Sequence, residues 1–445
     1  MYFEVSFDGL VGPTHNYAGL APGNLASIEN QKVISNPRAA AGQGLEKMRF
    51  LLKLGLHQAV LPPLVRPNLR VLRDLGFSGC KEQLLRQAYE NSPQLLAACY
   101  SASSMWAANA ATMTPSCDTQ DGKAHFTPAN LISNFHRSIE ANETANLLKT
   151  IFRDPEHFVH HRLLPATPTF SDEGAANHTR FAPSYAGPGI HFFVYGQPSS
   201  TFGPTTRFPQ RQTAAACEAI ARNHRLPPAK VVYAQQHPEA IARGVFHNDV
   251  ISTGNLNLFL YHRSAFLDSS KVIAELKSSY STQFNRELVF FEIDQFSLEE
   301  AIASYFFNSQ IVTDPSGRMI LIAPEECQRL ESVRKTINSL VGDTNCPIQE
   351  AHFLNLRESM RNGGGPACLR NRIVLNKKEI SLLPKAIILD ATTIDSLIQW
   401  VNRHYRDRLE LKDLVDLALV TEVQTALDEL TQILGLGSIY EFQKL

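Results

Sequence analysis

The sequence predicts an α/β fold organised as one domain, and three observations carry that expectation. Short apolar runs of strand character alternate, along the whole chain, with longer segments of helical periodicity. No Gly/Ser linker, acidic tail or low-complexity block divides the chain, although 445 residues would by length alone allow about three domains. Hydrophobic residues make up 44% of the positions, enough for a large core.

In chain order, the first strand is expected at Tyr2–Phe7 and the first helix at Pro37–Leu54, with Pro37 in a first helical turn where its missing N–H costs nothing. A helix is expected at Gln83–Tyr89. The stretch from Asn91 to Cys117 carries no charge, but Ser, Asn, Gln and Pro run through it, where a bilayer-spanning segment would be mainly Leu, Ile, Val and Phe. It reads as a buried helix rich in small residues. Further strands are expected at Ile190–Tyr195, Lys230–Tyr233, Leu256–Tyr261, Leu288–Ile293, Met319–Ile322, Phe353–Leu356 and Ile373–Leu375. Further helices are expected at Gln212–Asn223, Leu298–Phe307, Pro324–Leu340, Ile394–Tyr405 and Val423–Leu434. "TPSCDTQDGKAHFTP" and "YGQPSSTFGPTTRFPQRQT" read as loops. The pattern shows neither an internal repeat nor the order of strands in a sheet.

Charge and cysteine usage narrow the function. Lys plus Arg (42) nearly balances Asp plus Glu (43), which removes the electrostatic case for nucleic acid or an anionic membrane as general partners. The N-terminus has no basic region, and Glu4 and Asp8 interrupt its apolar residues, so no signal peptide is expected there. Seven scattered cysteines without C-x-x-C spacing argue against a disulfide framework or a zinc site and for a reducing cytoplasm.

Four stretches carry chemistry. In "MRNGGGPACLRNRIVLN", glycines 363 to 365 lead into Cys368, baring the backbone before a cysteine and freeing amides to face a ligand. Asn362 stands just ahead of them. A glycine turn before a structural cysteine fits the same residues. In "GVFHNDV", His247 has Asp249 two residues on, and a histidine beside a carboxylate can hold its proton near neutral pH. In "SDEGAANHTR", Glu173 is followed by small residues, as in a tight pocket wall, with Asn177, His178 and Arg180 beyond. "DGLVGPTHNYAGLAPGNLAS" is a glycine-rich loop of the kind that closes over an anionic ligand, and it lacks the G-x-G-x-x-G spacing of a nucleotide site. Asn109, His136, Arg137 and Arg211 are further polar candidates. Arg211 precedes an expected helix, where an arginine makes sense if it shares an anion with the helix N-terminus. A solvated loop or surface side chain is the plain alternative at each of these positions. Together they suggest a cysteine hydrolase whose substrate is cationic at one end and anionic at the other.

"GPTHNYAGL", "DEGAANHTR", "FHNDV" and "NGGGPACLR", in combination and over essentially the whole chain, resemble the N-succinylarginine dihydrolase family of the pentein, guanidino-group-modifying superfamily. The resemblance implies a five-bladed α/β propeller with approximate fivefold symmetry, spanning residues 1–445 as one catalytic domain. It implies Cys368 as nucleophile with His247 and Glu173 as the other catalytic positions. It implies substrate binding by Ala18, Gly19, Leu20, Ala21, Pro22, Gly23, Asn24, Leu25, Ala26 and Ser27, and by Asn109, His136, Arg137, Arg211, Asp249 and Asn362. No cofactor, metal, nucleic acid or membrane is implied, and a cytoplasmic homodimer is. The activity implied is conversion of N2-succinyl-L-arginine to N2-succinyl-L-ornithine, two NH3 and CO2. An arginine deiminase or amidinotransferase of the same superfamily, and a non-catalytic binder of arginine derivatives, are the alternatives. A papain-like hydrolase would usually place its cysteine before its histidine, the reverse of the order here.

Overall fold

A computed structural model describes residues 1–198 and 207–444, so part of the second expected loop, residues 199–206, lies outside the described residues. The described residues form fifteen strands: β1 (Tyr2–Gly9), β2 (His57–Leu61), β3 (Ala111–Thr114), β4 (Ala124–Pro128), β5 (Phe158–His160), β6 (His178–Phe181), β7 (Ile190–Tyr195), β8 (Val231–Gln235), β9 (Ser252–Asn255), β10 (Leu258–His262), β11 (Val289–Ile293), β12 (Gln310–Thr313), β13 (Met319–Pro324), β14 (Ile348–Leu354) and β15 (Arg370–Asn376). They assemble into five three-stranded sheets. Four sheets are built from consecutive strands, and the remaining one joins the two ends of the chain in the order β15-β1-β2.

One topology recurs in all five. The outer strand pairs antiparallel with the middle one, and the middle strand pairs parallel with the third. A parallel pair needs a crossover, and a helix supplies it each time: Pro37–Lys53, Ala141–Ile151, Ala214–Asn223, Ser269–Phe284 and Glu331–Gly342. The middle strands β4, β10 and β13 are buried throughout, as crossover helices on a sheet require. The antiparallel outer strands β3, β6, β9 and β12 are four residues each, whereas β15 runs to seven. β6 abuts β9, β9 abuts β12, and β15 abuts β3, so these outer strands gather toward one another.

The caps explain where the crossover helices begin. Asn36, Thr213 and Asp268 each accept from a backbone N–H in the first turn, and Pro37 occupies the first helical position. Of the two C-terminal helices, Ala391–His404 packs against Pro37–Lys53 and Leu417–Ile433 packs against Ala391–His404, all within the largest core cluster. Their interior is sealed by Trp400, whose Nε1–H donates to the Ala426 carbonyl at 2.8 Å.

Several expected elements differ from those observed. The stretch from Asn91 to Cys117 is not one helix: the helix Pro93–Cys99 gives way to two short turns, Ser103–Met105 and Ala107–Asn109, and then to β3. Tertiary packing overrides its uniform small-residue composition, because a Cβ at Gly9 would stand 2.3 Å from the Met105 carbonyl oxygen. "TPSCDTQDGKAHFTP" is a loop over residues 115–123, as expected, but its two ends belong to the antiparallel pair β3 and β4. The helix expected over Leu298–Phe307 stops at Ser304, where Tyr305 turns left-handed with φ 52°. Pro324 ends β13, and the helix expected to start there is split into Glu326–Arg329 and Glu331–Gly342.

Candidate active site

Cys368 lies in the loop between the helix Arg357–Arg361 and β15. The glycines ahead of it make room for packing rather than for a ligand. Gly363 has φ +90°, which favours glycine, and its added Cβ would fall about on the Asn24 amide, at 1.9 Å. A Cβ on Gly364 would stand 2.1 Å from the Trp106 ring, and one on Gly365 would stand 2.8 Å from Asn308 Oδ1. The lid loop, the indole and Asn308 fill the space that the sequence suggested was kept clear for substrate.

Asn308 clamps the cysteine. Its Nδ2–H donates to Cys368 Sγ at 3.1 Å, while its Oδ1 accepts from the Cys368 N–H at 3.1 Å. Its backbone carbonyl accepts from Ala367 N–H at 2.8 Å. On another side of the sulfur, the thiol donates to Asp249 Oδ2 at 3.6 Å. Cys368 and Asp249 each have their pKa raised: burial is the main cause for both, and the Asp249 carboxylate adds to the effect on Cys368. The Asn308 hydrogen bond opposes the rise in Cys368 without overcoming it. The thiol form is therefore the one favoured in the unliganded site.

His247 and Glu173 meet from opposite ends of a 74-residue separation. His247 Nε2 lies 2.8 Å from Glu173 Oε2, and both side chains are buried. Burial alone would raise the Glu173 pKa. The hydrogen bond and charge of His247, with Arg211 and Arg137, outweigh it and hold the carboxyl at about 2. The carboxylate partner of His247 is thus Glu173, not Asp249 as the two-residue spacing suggested. The turn Asn248–Val250 follows His247 directly, and Asp249 within it reaches Cys368 instead. Asn177 holds that turn by accepting from the Asn248 N–H at 2.8 Å. With Nε2 toward Glu173, His247 Nδ1 is buried and without a partner, as are Glu173 Oε1 and Asp249 Oδ1.

These groups border a cavity of about 560 Å³. Cys368 and His247 line it, and so do Asn109, His136, Arg137, Arg211, Asn362, Gly363 and, from the lid, Ala18, Gly19, Leu20, Ala21, Asn24 and Ser27. Glu173 and Asp249 are not among its lining residues, but they touch two that are, His247 and Cys368. Pro22, Gly23, Leu25 and Ala26 do not line the cavity, but the Pro22 carbonyl accepts from Arg211 Nη2 at 2.6 Å and ties the lid to the arginine. Asn24 caps the short helix Leu25–Glu29 and donates to the Gly363 carbonyl at 3.0 Å, tying the lid to the cysteine loop as well. Asn109 donates to the Glu173 carbonyl at 2.6 Å, and Asn362 donates to the Asn16 carbonyl at 3.2 Å.

Part of the cavity wall is cationic. Arg211 is buried, lies 4.8 Å over the Phe246 ring, and has its Nε unpartnered. Burial and the nearby Arg137 push its pKa down, against the pull of Glu173. Arg137 Nε likewise makes no hydrogen bond and sits 3.7 Å from Glu140. His136 is held well below its usual range by burial and by both arginines, so it is neutral. Arg211 stands two residues before Thr213, whose side chain already caps the helix Ala214–Asn223. Unpartnered guanidinium N–H groups, not the helix end, are what this wall offers an anion.

Two sequence candidates lie elsewhere. His178 pairs with His191 at 2.9 Å, and Arg180 forks onto Asp118 at 2.5 and 2.9 Å; both face a different cavity. Conversely, Asn308, Trp106 and Phe246 do not stand out in the sequence. Asn308 follows two phenylalanines in "YFFNSQ", where nothing in the spacing separates it from a capping residue.

The profile of the succinylarginine dihydrolase family matches residues 1–443. The chain is 52% identical over 443 residues to the N-succinylarginine dihydrolase of Pseudomonas aeruginosa strain LESB58, covering 99% of each. It is 53% identical over 442 residues to that of Chromohalobacter salexigens, covering 99% of this chain and 98% of the other. Among solved structures, the N-terminal domain of ArgZ, an arginine dihydrolase of the cyanobacterial ornithine–ammonia cycle, aligns over 83% of this chain and 97% of its own with TM-score 0.49 and 13% identity.

Proposed function

The chain belongs to the succinylarginine dihydrolase family, and from that premise we propose that it hydrolyses N2-succinyl-L-arginine to N2-succinyl-L-ornithine, two NH3 and CO2. One observation supports the site assignment above the others. Cys368 and His247 share a cavity with Arg137 and Arg211, so a nucleophile and an unsatisfied cationic wall face the same ligand space. The substrate has that polarity: a guanidinium at one end and two carboxylates at the other.

The guanidinium is a poor electrophile, because its charge is delocalised. Glu173 Oε1 and Asp249 Oδ1, both without partners, hold it planar and aim Cζ at Cys368 Sγ. Its positive charge offsets the burial that keeps the thiol protonated, and the thiolate forms beside it. Attack gives a tetrahedral adduct. His247, oriented by Glu173, takes the thiol proton and passes it to the departing amino group, which leaves as NH3, and an amidino-cysteine remains. His247 then takes a proton from water, which attacks this intermediate and frees a ureido group. A second round on that group releases the second NH3 and, finally, CO2. Lid contacts to both Gly363 and Arg211 retain the ureido compound between rounds.

The five repeated sheets support a five-bladed propeller with approximate fivefold symmetry, forming one catalytic domain over residues 1–445. We further propose a cytoplasmic homodimer; no described helix is long and apolar enough to cross a membrane. The ammonia yield tests the reaction. Succinylarginine is expected to release two NH3 per molecule and free arginine none; one NH3 per molecule would assign a deiminase instead.

A further inference from the structure

A second cavity, of about 920 Å³, lies on the other side of the Cys368 loop, with Asp249 and Ala367 in its wall. The reaction above gives it no role. Its wall is built from β15, β6 and β9 and contains Arg370, Arg372 and Glu4.

Arg370 is the unusual member. It is 7% exposed, yet its buried Nη1 makes no hydrogen bond to any described residue. Five N–H donors in a fixed fork are normally matched when buried. It forms an ion pair with Glu4, whose Oε1 is 3.9 Å from Nη1, too far for a hydrogen bond. Glu4 is also shared, with its other oxygen 3.6 Å from Arg372.

The remaining charged groups are committed elsewhere. Asp8 stands across the ladder from Arg370, but it is held by Lys47 and by Gln58 at 2.8 Å. Arg180 is matched by Asp118. Asp249 contacts Cys368 and forms no ion pair with Arg370, and burial raises its pKa, which favours its neutral form. Arg372 donates to the Gly254 carbonyl at 2.7 Å, which fixes it beside Arg370. Two arginines thus share the carboxylate of Glu4 at ion-pair distance, and the buried charge of Arg370 is only partly compensated. Such a charge is costly unless an anion meets it.

We propose that this cavity is a binding site for a small planar oxyanion of the carboxylate and bicarbonate class, held by the fork of Arg370 with Arg372 beside it. The planar fork matches two coplanar oxygens, which a spherical halide does not offer. The site is separate from the cationic wall at Arg137 and Arg211.

The test is the melting temperature of the full chain, titrated with sodium formate and with sodium bicarbonate at constant ionic strength made up with sodium chloride. Ligand binding to the native state gives a rise that is logarithmic above Kd, whereas general salt effects do not. The rise is expected with both anions, to be retained in Arg211→Gln, and to be lost in Arg370→Gln. Removing the competing carboxylate by Glu4→Gln is expected to lower the apparent Kd by roughly fivefold or more. A rise with bicarbonate alone would narrow the ligand to the hydrated form of a reaction product and still support the site. No rise, or one lost in Arg211→Gln, would overturn the proposal. If Arg370→Gln does not fold, an apparent Kd unchanged by Glu4→Gln would overturn it alone.

Discussion

The two ends of the catalytic cavity are opposites in charge and alike in being incomplete. At the cysteine end, buried Glu173 and Asp249 each keep an oxygen without a partner, and Cys368 is held as a thiol by burial. At the arginine end, Arg137 and Arg211 each keep an unpartnered Nε, and Arg211 is pushed toward losing its proton. A protein alone could have paired these groups across the space between them. In the proposed function this arrangement gives two half-sites, each to be completed by one end of a substrate that is cationic at one pole and dianionic at the other.

Removing a charge from one end distinguishes binding from chemistry. Arg211→Gln removes a carboxylate contact that both ground and transition states use. It is expected to raise KM for succinylarginine by roughly a hundredfold and change kcat much less. A fall in kcat with unchanged KM would move Arg211 from the binding end to the reacting end. Asn308→Ala acts at the other end. Losing its donor to Cys368 Sγ is expected to lower kcat/KM by roughly tenfold and shift the alkaline-rising limb of its pH profile upward. An unshifted limb would show that Asn308 only packs the loop.

The smallest effect concerns the base of the lid. His15 is buried, donates to or accepts from Ser35 Oγ at 2.8 Å, and has its pKa pushed down to about 4 by burial. Its folded pKa lies below its unfolded value of 6.5, so the unfolded chain binds the proton more readily. Its contribution is fully present above pH 6.5 and is lost as pH falls toward 4. From pH 7 to pH 5 this costs about 2 kcal/mol. Denaturant unfolding of the wild-type protein and of His15→Gln at both pH values should differ by that amount, and equal slopes against pH would remove His15 as a cause.

The chemistry-bearing residues were more legible than the fold that gathers them. Cys368, His247 and Glu173 stand in motifs that share few residues with ordinary loops, and the structure brings them to one place. The fivefold repeat was not legible, because what recurs is topology. The apolar middle strands β7, β10 and β13 were found from composition. The outer strands β3, β6, β9 and β12 read "ATMT", "HTRF", "STGN" and "QIVT", too polar and short to stand out. Their polarity has a structural cause, since residues of β6 and β9 line an interior cavity instead of an apolar core. Local spacing also misassigned the partner of His247. Asp249 is near in sequence, but a turn separates the two side chains, and Glu173 arrives from a different sheet unit.

In the proposed mechanism, substrate charge and not the free protein makes Cys368 a nucleophile. Ultraviolet absorbance of the thiolate tests it, taken as the difference between wild type and Cys368→Ser across a pH titration. In the free protein the apparent pKa should lie above that of an ordinary thiol. Saturation with N2-succinyl-L-ornithine, which brings a cation to the same end, should lower it by roughly one unit or more. A thiolate already formed at neutral pH without ligand, or a pKa unmoved by it, would contradict the account.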